Sequence, residues 1–141
     1  MKLVPLGGGV DSPPSVAIIL FNGAQIIDFA GPWEVFGTAG FLVHTVAENP
    51  QTLTMVLGQK VAFDHTFENS PQADILLVPG GGVGQAMSNP RLIEWIRAKA
   101  KTAKYVMSVC TGAFLLAKAG LLTGQSATAT CGMVNDLRNR C

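Results

Sequence analysis

The sequence predicts one α/β domain: a mostly parallel sheet with helices on both faces, a three-layer sandwich. Three observations carry this. A continuous rather than alternating apolar run occurs at residues 16–21, and 73–78 and 105–109 read as two further buried strands, as a sheet covered on both faces requires. Helical stretches alternate with these runs, so the connections are crossovers, and those are right-handed. A length of 141 residues, 48% hydrophobic and only 13% charged, suits one domain with a real core.

The elements follow in order. Residues 1–14 hold one lysine, a short apolar run and three glycines, too little for a signal-peptide core, and are expected to be a flexible tail before a domain over 15–141. The first strand, 16–21, ends at Asn22-Gly23. Pro32 suits the first turn of a short helix over 32–38, closed by Gly37 and Gly40. Strands at 41–47 and 52–57 flank the Asn49-Pro50 turn, and 60–67 is expected to be an exposed excursion, a hairpin. The buried strand at 73–78 runs into Pro79-Gly80-Gly81-Gly82. Asn89-Pro90 forms a cap and first turn for a helix reaching Ala103, with Leu92, Ile93, Ile96 and Ala100 on its apolar stripe. A third buried strand, 105–109, passes at once into a helix over 111–119 that Gly120 stops. Residues 126–130 read as a further strand and 133–140 as a helix.

Composition excludes several classes of function. A net charge of +1 with no basic run gives no hold on nucleic acid or an anionic membrane. No apolar stretch approaches the roughly 20 residues of a membrane span. The cysteines, Cys110, Cys131 and Cys141, are odd in number and widely spaced, which fits neither paired disulfides nor a zinc site. Free thiols in the cytoplasm are the expectation, with no metal and no cofactor.

In open α/β sheets, working groups gather at the carboxyl ends of strands. Ser108-Val109-Cys110-Thr111-Gly112 places a cysteine where strand turns directly into helix. Small residues two places either side permit the sharp turn of a nucleophile elbow, and a helix N-terminus favours thiolate. A small buried hydrophobe is the plain alternative for such a cysteine. Gly80 and Gly81 follow another strand, and the Gly81 N–H could join the Thr111 N–H in an oxyanion hole. The glycines lack the Lys-Ser/Thr of a phosphate loop, which excludes a nucleotide site. Asp28, set in Ile26-Ile27-Asp28-Phe29-Ala30-Gly31-Pro32, is either a helix cap or a carboxyl of raised pKa able to act as general acid. His44 and His65 fall away from strand ends and read as structural, and Trp33 and Trp95 as packing, with Trp33 near enough to Asp28 to wall a pocket.

Four blocks in this order resemble the ThiJ/PfpI superfamily: residues 27–36, 73–81, Ser108-Val109-Cys110-Thr111-Gly112-Ala113, and Ala119-Gly120-Leu121-Leu122-Thr123-Gly124. The superfamily has a class I glutamine amidotransferase-like, flavodoxin-type fold, and the subgroup most resembled contains isocyanide hydratases and the N-terminal domains of AraC-type regulators. The resemblance, running from Val16 to Arg140, implies a nucleophile at Cys110, a general acid at Asp28 and an oxyanion-type pocket from Gly81 and Thr111, beside Gly80. It implies a small-molecule substrate, hydration of an isocyanide to an N-formamide, and a homodimer. Thr130 stands where such hydratases tend to have histidine, so the partner expected for Cys110 is Asp28. The chain stops at Cys141 where relatives continue, so the sheet is expected to be incomplete there or covered by a partner subunit. The alternatives are another superfamily activity, glyoxalase-like or peptidase, or a non-catalytic ligand-sensing domain. Thr111 in place of a histidine after Cys110 counts against a peptidase.

Overall fold

A computed structural model describes residues 12–49 and 51–140. Most of the expected tail, the Pro50 of the expected turn and Cys141 lie outside the described residues. The main sheet has five strands, β1 (Ser15–Ile19), β2 (Leu42–Ala47), β5 (His65–Thr66), β6 (Ile75–Val78) and β7 (Tyr105–Ser108), ordered β5-β2-β1-β6-β7 and all parallel. A separate antiparallel hairpin joins β3 (Leu53–Thr54) to β4 (Lys60–Val61). The expected excursion is therefore divided: its first part is half of this hairpin, and His65-Thr66 extends the sheet.

Connections run outward from β1 in both directions, so right-handed crossovers put helices on opposite faces. The first helix, α1 (Ile26–Thr38), packs on β1 and β2. On the other face α4 (Gly112–Lys118) lies against β6 and β7 and meets α2 (Val83–Met87), α3 (Pro90–Ala100) and α5 (Val134–Arg138). With both faces covered, Val16, Ile18, Ile19, Leu76, Leu77 and Val78 are almost wholly buried and form the core's centre. As the sequence predicts, Asn89 caps α3: its Oδ1 accepts from the N–H of Arg91 at 3.0 Å and of Leu92 at 3.3 Å. Gly120, at φ 75°, closes α4: the N–H groups of Gly120 and Leu121 donate to the carbonyls of Ala117 and Leu116.

Four expectations are corrected. The first helix begins at Ile26, so Pro32 sits inside it and Asp28 in its first turn. A proline there removes one helical bond, but burial of Asp28 and Phe29 holds the turn that precedes it. The strand at β7 is not buried: all four residues are exposed, Tyr105 by 67%. Residues 126–130 form no strand, so β7 is an edge among the described residues. An apolar run marks a strand equally well at a sheet's centre and at its edge. The helix from Pro90 also stops at Ala100, before Ala103.

The amino end of the sheet is held by Asp74. Its Oδ2 accepts from the Ser15 N–H at 2.8 Å and from the Ser15 hydroxyl at 3.0 Å, while Lys104 Nζ lies 2.8 Å from Oδ1. The Lys104 ammonium, then the Ser15 donors, lower the Asp74 pKa from 3.8 to about 2. A depressed carboxyl pKa stabilises the fold above the unfolded value, and that stability drains away as pH falls from about 4 towards 2. Asp74→Asn is expected to lower the melting temperature at pH 7 and to have little effect at pH 2. An equal shift at both pH values in a thermal scan would show that the carboxylate charge is irrelevant.

Candidate active site

The strand order puts the topological switch point between β1 and β6, and three loops at the carboxyl ends of β1, β6 and β7 meet there. The loop after β1 is zipped to the loop after β6. Gly82 N–H donates to the Gly23 carbonyl at 2.8 Å, Gln25 N–H donates to the Gly80 carbonyl at 2.9 Å, and Ala24 bridges Gly81. Two side chains complete the join. Asp28, only 7% exposed, accepts the Gly80 N–H through Oδ2 at 3.1 Å. The Thr111 hydroxyl accepts from the Gly81 N–H at 2.9 Å and donates to the Gly81 carbonyl at 3.1 Å.

Glycine at positions 80 and 81 is therefore a packing requirement. A Cβ on Gly80 would lie 2.6 Å from both the Thr111 nitrogen and its hydroxyl oxygen, and 2.9 Å from Asp28 Oδ2. One on Gly81, which sits at φ 125°, would lie 2.4 Å from the Gly23 carbonyl oxygen. The same distances show how closely Asp28 and Thr111 converge on Gly80, although 83 positions separate Asp28 from Thr111 in the chain.

Cys110 sits on the turn from β7 into α4, exposed, at φ 55°. It is the one described non-glycine residue with positive φ. For an L-residue this backbone costs roughly 1–3 kcal/mol and persists because the surrounding loops impose it. Such strain is what a strand-to-helix elbow demands, since the turn must lift its side chain out of the sheet. The Cys110 Sγ lies 2.8 Å from the Thr130 hydroxyl oxygen, and either atom can donate. Thr130 thus occupies the position beside sulfur where the resembled hydratases tend to have histidine. A hydroxyl can hold the sulfur but cannot take up a proton as imidazole does. Nothing local in the chain marks Thr130.

The structure thus brings Cys110, Thr111, Gly80, Gly81 and Asp28 to one place, with two revisions. Asp28 is not a helix cap: it is the third residue of α1, where a carboxylate also complements the helix dipole, and its side chain bonds across to another loop. The Gly81 N–H, expected as an oxyanion donor, is spent on the Thr111 hydroxyl. The Thr111 N–H stands among the orphan donors at the start of α4.

The histidines are elsewhere. His44 lies on β2 and His65 on β5, the edge opposite β7, with ring centroids 5.4 Å apart and nearly perpendicular. His44 Nε2 is buried without a hydrogen-bond partner, and burial, then the neighbouring His65, holds its pKa below the ordinary value. Trp95 stacks on Phe67 at 4.8 Å, a packing role, while Trp33 and Asp64 are among the residues lining a cleft with Leu20, Phe29 and Thr45. Among the described residues Cys110 and Cys131 are free thiols, no three His, Cys, Asp or Glu side chains cluster as a metal site, and no helix is long and apolar enough to cross a membrane.

Comparison with known proteins places these features. The profile of the DJ-1/PfpI family matches residues 14–141. Over 115 residues the chain is 38% identical to isonitrile hydratase of Pseudomonas putida, covering 80% of this chain and 50% of that protein. It is 42% identical over 74 residues to HTH-type transcriptional regulator Rv1931c of Mycobacterium tuberculosis, 52% of this chain and 29% of that one. The crystal structure of a ThiJ/PfpI family protein from Pseudomonas syringae superposes with a TM-score of 0.74 at 29% identity, over 78% of this chain and 47% of that one. The chain spans about half the length of the hydratase and of the P. syringae protein.

Proposed function

The chain belongs to the DJ-1/PfpI family, and from that premise we propose that it is a cysteine-dependent hydratase of small electrophiles, taking an isocyanide to an N-formamide. The observation that carries this is Cys110 raised on a strained elbow next to the Asp28–Gly80–Thr111 join. Similarity to an isonitrile hydratase supports it.

The chemistry needs a nucleophile and one mobile proton. The Cys110 sulfur forms a bond to the terminal carbon of R–N≡C, and one proton, from the Cys110 thiol or the Asp28 carboxyl, passes to that carbon, giving the thioimidate R–N=CH–S–Cys. Water then adds its oxygen to this carbon while a proton reaches nitrogen. The C–S bond breaks, sulfur leaves with its electron pair, and the hydroxyl proton returns to the Cys110–Asp28 pair. The product is R–NH–CHO, and the pair is restored. Asp28 bonds Gly80 through Oδ2 alone, which leaves Oδ1 for proton transfer. The Thr111 N–H is the donor best placed by sequence to stabilise charge as the sulfur adds and leaves.

The test is incubation with cyclohexyl isocyanide, following N-cyclohexylformamide by mass spectrometry. Formation well above the buffer rate supports hydration. Saturable binding without turnover would instead favour a ligand-sensing domain, the reading suggested by similarity to a transcriptional regulator. Asp28→Asn is expected to keep the fold, because the amide oxygen can accept the Gly80 N–H, and to lower turnover about 10²- to 10⁴-fold. Wild-type turnover in this variant would remove Asp28 from the mechanism.

A further inference from the structure

We propose that a cleft between α1, β2 and the segment that follows β4 binds a small organic ammonium ion. The cleft, about 220 Å³, has Leu20, Phe29 and Thr45 as its buried floor and Val61, Trp33 and Asp64 around it. It shares no residue with the Cys110 site. Trp33 is 46% exposed, and Asp64 is the one charged side chain lining the cleft among the described residues.

Asp64 is exposed, and Thr45 holds one of its carboxylate oxygens. Its Oδ2 accepts from the Thr45 N–H and the Thr45 hydroxyl, each at 2.8 Å, and its own N–H donates to Thr45 Oγ1 at 3.1 Å. All three partners are neutral, and Oδ1 is left over. Among the described residues, no lysine, arginine or histidine forms an ion pair with Asp64. Burial, then the neighbouring His65, lowers the pKa of nearby His44 and disfavours its charged form, and Lys99 Nζ donates to the Ser70 carbonyl at 3.2 Å.

A carboxylate and an indole that line one cleft over an apolar floor match one ligand chemistry. The carboxylate supplies the counter-charge, the indole face attracts a cation, and the floor accepts its alkyl groups. An anion would meet the Asp64 charge. A strongly hydrated metal ion would gain nothing from Leu20, Phe29 and Val61 and would find one carboxylate where it needs several oxygens. The volume limits the ligand to a few carbons around its nitrogen.

Titrating the full chain with tetramethylammonium chloride, while following the indole N–H resonances of Trp33 and Trp95, tests this. Sodium chloride at equal ionic strength and tert-butanol, neutral and of similar size, are the controls. The Trp33 signal is expected to shift saturably with tetramethylammonium alone, and Trp95 to stay in place. Asp64→Asn keeps an oxygen for the Thr45 donors and should weaken binding at least fivefold, as should Trp33→Leu when binding is read from ligand signals. Cys110→Ala should bind as the wild type does, which separates this site from the hydratase reading. An equal response to tert-butanol, undiminished affinity in both variants, or an unmoved Trp33 would each overturn the proposal.

Discussion

Cys110→Ala is expected to reduce isocyanide hydration to the background rate, a loss of about 10⁴-fold or more, while moving the melting temperature by no more than about 2 °C. The two effects separate because sulfur does the chemistry and very little of the packing. Its one polar contact is with Thr130, which is itself exposed, and alanine bears the same backbone strain at φ 55°. Exposed substitutions of this kind cost about 0.5 kcal/mol or less. Parallel measurements of formamide production and thermal unfolding check both halves. Retained turnover in a well-folded variant would assign the covalent step to another group. A collapsed melting temperature would mean that the elbow depends on its sulfur.

Gly112→Ala, two residues further on, is expected to do the opposite, damaging the fold first and activity as a consequence. A Cβ there would lie 2.2 Å from the Val78 carbonyl oxygen and 2.9 Å from that of Pro79. Both are backbone atoms at the end of a central strand, so no side chain can swing aside. The first turn of α4 must lift away from β6, carrying Cys110 and Thr111 with it. Overpacking of this kind costs about 3 kcal/mol, roughly 10 °C in this size range. Gly84→Ala is the control: nothing lies within 4 Å of its Cβ position, α2 favours alanine there, and stability should hold or rise slightly. Matching losses in the two variants, measured by thermal unfolding, would show that the α4–β6 contact is looser than its geometry implies.

How legible the molecule was depended on the range of the signal. Residues 73–78 read as a buried strand because the four consecutive apolar residues Ile75 to Val78, followed by a glycine turn, have few other uses, and β6 is there. The caps at Asn89 and Gly120 were legible because each satisfies backbone groups two or three residues away. The start of α1 was not. Pro32 is a strong local signal for a first turn, but it was outweighed by the burial of Asp28 and Phe29 against parts of the chain far off in sequence. β7 misled for a related reason: Tyr105, Val106 and Met107 have strand chemistry, and only their neighbours in space decide whether that strand is covered.

By itself, then, the sequence determined the alternation of strand and helix and the elbow that lifts Cys110, because both depend on side chains within a few residues of one another. It also singled out Asp28, Gly80, Gly81 and Thr111 as residues worth joining. The tertiary structure alone decided how they join. Asp28 bonds Gly80, the Thr111 hydroxyl takes the Gly81 N–H that the oxyanion hole was expected to use, and Thr130 reaches the sulfur. Each of these contacts spans 20 to 52 positions of the chain. Such contacts form only when the packing of the sheet brings the loops together, and no local preference encodes which donor finds which acceptor.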